Sequence, residues 1–142
     1  MIDWNKYIGI PYVFNGRDLK TGVDCAGLIV NLYKDQGWKI TSNDGRKITE
    51  DWFVLEPYRF VRYLMKHFDR VESSEELEDG DLILVEINGE SHGAIYSGYG
   101  TVLTTFPQVG HFNGGVSFRD RLRYWENNKN IRLQGYFKRR KE

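Results

Sequence analysis

Apolar residues at 26, 29, 30 and 33 recur three and four apart, and this predicts a helix that opens near Cys25 and runs to about Gln36. Gly37 then suits the left-handed conformation of a helix end, and Gly22 and Asp24 on the approach side place Cys25 in the first turn. A second stripe, Phe60, Val61, Leu64 and Phe68, predicts an amphipathic helix over 57–68, with Pro57 in the first turn where its missing N–H costs nothing. His67 falls near its end, where a partly charged imidazole suits the helix dipole. Past Phe68 the period shortens to that of strands, predicted over 70–72, 81–87, 92–97, 101–106, 115–118 and 131–137. Turn signals separate them at Glu78-Asp79-Gly80, Asn88-Gly89 and Gly98-Tyr99-Gly100. Connections this short favour antiparallel neighbours, so helices followed by a meander of strands indicate an α+β fold.

The remaining segments read as connections. Asp3 to Ile8 is a short helix or turn closed by Gly9, Ile10-Pro11 is extended, and Asn15-Gly16 is a turn. Arg17 to Gly22 is a polar connection, and 39–51, with Ser42-Asn43-Asp44-Gly45, is a surface excursion. Arg119 to Trp125 forms one more helical turn, and Lys138-Arg139-Arg140-Lys141 is expected to be a solvated end.

Composition narrows the classes. A chain of 142 residues is expected to form a single domain, 1–142, burying roughly 68–70% of its unfolded surface. Twenty Lys and Arg balance twenty Asp and Glu, so no net field argues for a nucleic-acid partner. No stretch approaches the ~20 apolar residues that span a bilayer, and no membrane insertion is expected. The start, Met1-Ile2-Asp3-Trp4-Asn5-Lys6, lacks a basic region followed by an apolar run, so the chain is expected to be made in the cytoplasm without a signal peptide. One cysteine excludes an intramolecular disulfide and leaves a free thiol to explain.

Two readings of Cys25 stand side by side. The unpaired N–H groups and dipole of a helix start stabilise a thiolate, which would make it a nucleophile. Free cysteine is also among the most often buried residues, behaving as a small hydrophobe. A thiolate attacking an acyl carbon needs a base, and His92 opens a strand whose small residues 93 and 94 let another segment come close. Its bland alternative is a satisfied histidine at a strand end. Cys25, His67, His92 and His111 lack the paired spacing of a zinc site, and Asp3, Asp18, Asp79 and Asp81 read as turn formers, so neither metal nor cofactor is expected.

Several pieces taken together carry a resemblance. Pro11-Tyr12-Val13-Phe14-Asn15-Gly16, Asp24-Cys25-Ala26-Gly27-Leu28-Ile29, and Gly80-Asp81-Leu82-Ile83 leading to His92-Gly93-Ala94-Ile95-Tyr96 resemble the NlpC family of cell-wall cysteine peptidases, from about Ile10 to Thr105. Ala26 departs from the family's Asp-Cys-Ser-Gly but keeps a small residue. Arg123-Tyr124-Trp125 and Gly135-Tyr136-Phe137 look like the subset encoded by tailed bacteriophages.

The resemblance implies a papain-like fold with Cys25 as nucleophile and His92 as general base. Its members cleave peptidoglycan stem peptides between D-glutamate and diaminopimelate or lysine. Tyr12 matches a tyrosine that positions substrate or the oxyanion, and the Cys25 N–H would be a second donor. Asp24 matches an acidic residue that meets a free substrate amine, or else it only caps the helix. The family's orienter of the base falls here at Thr104, whose hydroxyl accepts a hydrogen bond but has no charge; Gln108 and His111 are the other polar candidates. The expected partners are a peptidoglycan stem peptide and phage tail proteins, with action at the bacterial cell wall from a virion tail. The rivals are a catalytically weak tail-assembly or wall-binding module, motivated by Thr104, and an enzyme that transfers the acyl group to an amine.

Overall fold

A computed structural model describes residues 2–38, 59–87, 89–107 and 115–141. The predicted 39–51 excursion, the start of the second predicted helix, Asn88, Gln108 and His111 lie outside the described residues.

Helix α1 spans Cys25–Gln36. It ends as its sequence predicts, with Gly37 at φ 75° and the Trp38 N–H bonded to the Tyr33 carbonyl at 2.9 Å. Its buried face is Gly27, Leu28, Ile29, Leu32 and Tyr33, rotated from the predicted stripe, since Ala26 and Val30 are half-buried. The cause is a close approach: a Cβ on Gly27 would stand 2.0 Å from the Gly16 carbonyl oxygen. Only glycine lets the Asn15-Gly16 turn press on the helix there, and this turns residue 27 inward.

Helix α2, Arg59–His67, passes directly into strand β3, Phe68–Val71, so Phe68 opens a strand where the helical stripe would have included it. Before it, β1 (Arg17–Asp18) and β2 (Gly22–Val23) form a two-stranded antiparallel ribbon where the sequence suggests a polar connection. The sheet continues with β4 (Leu82–Ile87), β5 (Glu90–Tyr96), β6 (Thr101–Thr104), β7 (Phe118–Arg121) and β8 (Ile131–Arg139), and helix α3 (Leu122–Asn127) links β7 to β8. The order is β3-β8-β4-β5-β6-β7, antiparallel throughout. The predicted strand at 115–118 moves to 118–121, and Val116 makes only an isolated bridge to Pro11.

Alternation along the strands gives each face its own core. Leu82, Leu84, Ile95, Leu103 and Phe137 pack with Leu28, Ile29, Leu32 and Tyr33 of α1. Ile83, Val85, Ile87, Ala94 and Val102 pack with Leu122 and Trp125 on the α3 side. Each fully buried Leu or Ile stabilises the fold by about 1.5–3 kcal/mol. The basic tail is not a free solvated end. Lys138 and Arg139 continue β8 against β3, the Arg139 guanidinium lies 3.8 Å over the Trp38 ring, and Arg140 Nε donates to Asp69 Oδ1 at 2.9 Å. Among the described residues no helix is long and apolar enough to cross a membrane.

Candidate active site

Asp24 organises the start of α1. Its Oδ1 accepts the Gly27 N–H at 2.8 Å and Arg17 Nη1 at 2.7 Å, and its Oδ2 accepts the Asn15 N–H at 2.9 Å. One carboxylate therefore caps the helix, holds the ribbon through Arg17, and anchors the turn of residues 14–16. Of its two sequence readings, capping is the arrangement found, and the residue is 8% exposed.

Cys25 follows as the first residue of α1, partly exposed. The backbone N–H groups of Gly93 and Ala26 lie near enough to its sulfur to favour the thiolate. The helix start does not lower its pKa as the sequence suggests. Burial, and next the negative charge of Asp24, push the thiol up to about 11, while the Gly93 N–H and Arg17 oppose them. Tyr12 lies within electrostatic reach. Its hydroxyl is shifted well above the ordinary tyrosine range, first by burial and then by the negative charge at Cys25, Asp24 and Glu90.

β5 completes the cluster. The start of α1 packs against β5, where Gly93, whose backbone favours the Cys25 thiolate, follows His92. His92 is 9% exposed, with Nε2 3.7 Å from Glu90 Oε2 and its ring edge-on to Phe106 at 5.7 Å between centroids. A cysteine opening a helix thus stands against a strand that carries a histidine, with a tyrosine from the preceding loop beside them. The sequence profile of the NlpC/P60 family matches residues 9–129, a stretch that contains all of these pieces. The chain belongs to the NlpC/P60 family.

Solved structures agree on the fold. NlpC1 from Trichomonas vaginalis superposes with a TM-score of 0.67 at 13% identity, covering 97% of this chain and 42% of that one. An NLP/P60-family protein from Staphylococcus aureus gives 0.63 at 22%, covering 99% and 41%. The NlpC/p60 domain of the peptidoglycan hydrolase SagA gives 0.54 at 24%, covering 94% and 90%. The chain therefore spans about two fifths of the first two proteins. No curated protein sequence matches it. The α+β core of this NlpC/P60 chain, helices against an antiparallel six-stranded sheet, is papain-like.

Thr104 is where this NlpC/P60 chain departs from what its sequence suggests. The β5–β6 register sets Thr104 opposite Ala94, and the Thr104 hydroxyl donates to the Gly93 carbonyl at 2.8 Å. Fully buried, it braces Gly93, the residue after His92, and among the described residues it has no bond to His92. Continuing the register two residues places Phe106 across from His92, in agreement with their ring contact. Two site residues escaped sequence reasoning. Arg17 lies in what reads as a polar connection, with no local signal. Glu90 had one, since on a strand it shares a face with His92 two residues on. Among the described residues no three His, Cys, Asp or Glu side chains gather as metal ligands would.

Proposed function

We propose that this chain is a cysteine peptidase that hydrolyses peptidoglycan stem peptides at the bond between D-glutamate and diaminopimelate or lysine. The observation that carries the reading is the packing of α1 against β5, which brings Cys25 at the helix start to the strand of His92. Family membership supports it, as does the likeness of fold to a domain of a peptidoglycan hydrolase.

In this mechanism His92 takes the Cys25 proton as the sulfur attacks the acyl carbon. A thiol held up to about 11 has little free thiolate at neutral pH, so proton transfer accompanies attack and His92 acts as a true general base. The oxyanion forms where the Cys25 N–H and the Tyr12 hydroxyl can donate. His92 then protonates the leaving amine, a thioester remains on Cys25, and water activated by the same imidazole releases the acid. Asp24 and Thr104 keep the two sides in place.

Carriage in a phage tail is the setting proposed for this activity. Of the segments that suggested it, Trp125 and Phe137 are core, 1% and 2% exposed, so packing accounts for those two aromatics, while Tyr124 is 54% exposed. The raised thiol favours one competing reading, a weakly catalytic module that binds wall or tail components. Digestion of purified peptidoglycan decides between them. The peptidase reading expects the intact protein to release stem-peptide fragments with new free amines and Cys25→Ala to release none. Equal, background-level release by both would count against the peptidase and favour the module.

A further inference from the structure

We propose that Glu90 is the positioning residue for His92, filling at Nε2 the part that the sequence assigns to Thr104. The proposal rests on the reading of Cys25 and His92 as the catalytic pair. Glu90 opens β5 and shares a face with His92, with its Oε2 3.7 Å from Nε2. A charge-assisted hydrogen bond needs roughly 2.7–2.9 Å, so the carboxylate must advance about 1 Å. The Glu90 side chain is 31% exposed at the strand start, where torsional freedom permits that movement.

Among the described residues, the other neighbours of the imidazole leave this part to Glu90. The Thr104 hydroxyl is given to the Gly93 carbonyl, and Phe106 offers an apolar ring. Among the described residues no Lys or Arg pairs with Glu90, whose ion-pair partner is His92. It also acts electrostatically on Tyr12, which places it inside the cluster. A carboxylate accepting the Nε2 proton holds the ring in one orientation, leaves Nδ1 as the basic nitrogen, and stabilises the imidazolium formed when Cys25 loses its proton.

The test compares Glu90→Ala, Glu90→Gln and Thr104→Val with the intact chain, each checked for folding by circular dichroism. On a soluble stem peptide Glu90→Ala should lower kcat about tenfold or more with KM within about twofold, since orientation of the base matters in the transition state. Glu90→Gln, whose amide oxygen can accept the same proton, should recover most of the loss. Nitrogen-15 spectra of the imidazole, assigned with His92→Gln, should show the Nε2-protonated tautomer in the intact chain and a tautomer mixture in Glu90→Ala. Identical imidazole spectra in the two would overturn the proposal, as would a kcat loss larger in Thr104→Val than in Glu90→Ala. Lack of any Cys25-dependent turnover would instead strike the peptidase reading, and the spectra would still decide on Glu90.

Discussion

Replacing Asp24 with asparagine should make the protein less stable and its cysteine more reactive, two changes that a simple loss of structure would not couple. The side-chain oxygen of the introduced amide can still cap the Gly27 N–H, so most of the helix cap survives. Two interactions are lost. The Arg17 guanidinium, 2.7 Å from Oδ1, loses its counter-charge, and the Asn15 N–H, 2.9 Å from Oδ2, meets an amide NH2 that cannot accept it. At about 1–2 kcal/mol each in this half-buried setting, the cost is roughly 2–4 kcal/mol, or a fall in Tm of about 10 °C. The thiol responds the other way. Asp24 is the second cause, after burial, of its position at about 11, and Arg17, which opposes it, would no longer be neutralised. The Cys25 pKa should fall, and each unit of fall raises the thiolate fraction at pH 8 about tenfold. Pseudo-first-order alkylation with iodoacetamide from pH 6 to 11, beside thermal melts of the same samples, measures both. A destabilised variant whose alkylation midpoint stays put or rises would refute the assignment of Asp24 as the charge that holds the thiol protonated.

Gly27→Ala should cost about 3 kcal/mol or more and slow peptide hydrolysis, because the new Cβ would meet the Gly16 carbonyl at 2.0 Å and backbone must move at the site; urea unfolding with a parallel activity assay checks it. The raised thiol also predicts an alkaline loss of stability. A thiol whose folded pKa lies at about 11, against an ordinary value of 9.0, keeps its proton longer in the folded state, so its contribution is intact below about pH 8 and declines from pH 9 to 11. The loss is about 2–3 kcal/mol, and Cys25→Ala should flatten that part of the profile of unfolding free energy against pH.

Much of the fold is legible in the chain because its signals are local. The stop of α1 at Gly37 follows from one residue's access to the left-handed region, and the strands of the meander from alternation over a few positions. The misplaced pieces depend on partners far away. Lys138 and Arg139 look like a charged tail until β3 offers an edge for them to pair with. The strand expected at 115–118 slides to 118–121, where it pairs with β6.

The candidate site divides along the same line. Residue type and short-range periodicity were enough to place Cys25 at the start of a helix, His92 on a strand of the meander and Tyr12 before both, while they left Asp24 open between cap and substrate contact. Tertiary structure alone decided what surrounds them. Gly16 against Gly27 turned α1, the β5–β6 register put Ala94 rather than His92 opposite Thr104, and burial beside Asp24 outweighed the helix start in setting the thiol. Register and burial depend on which distant segments meet, and a slip of one residue along a strand exchanges every inward side chain for an outward one.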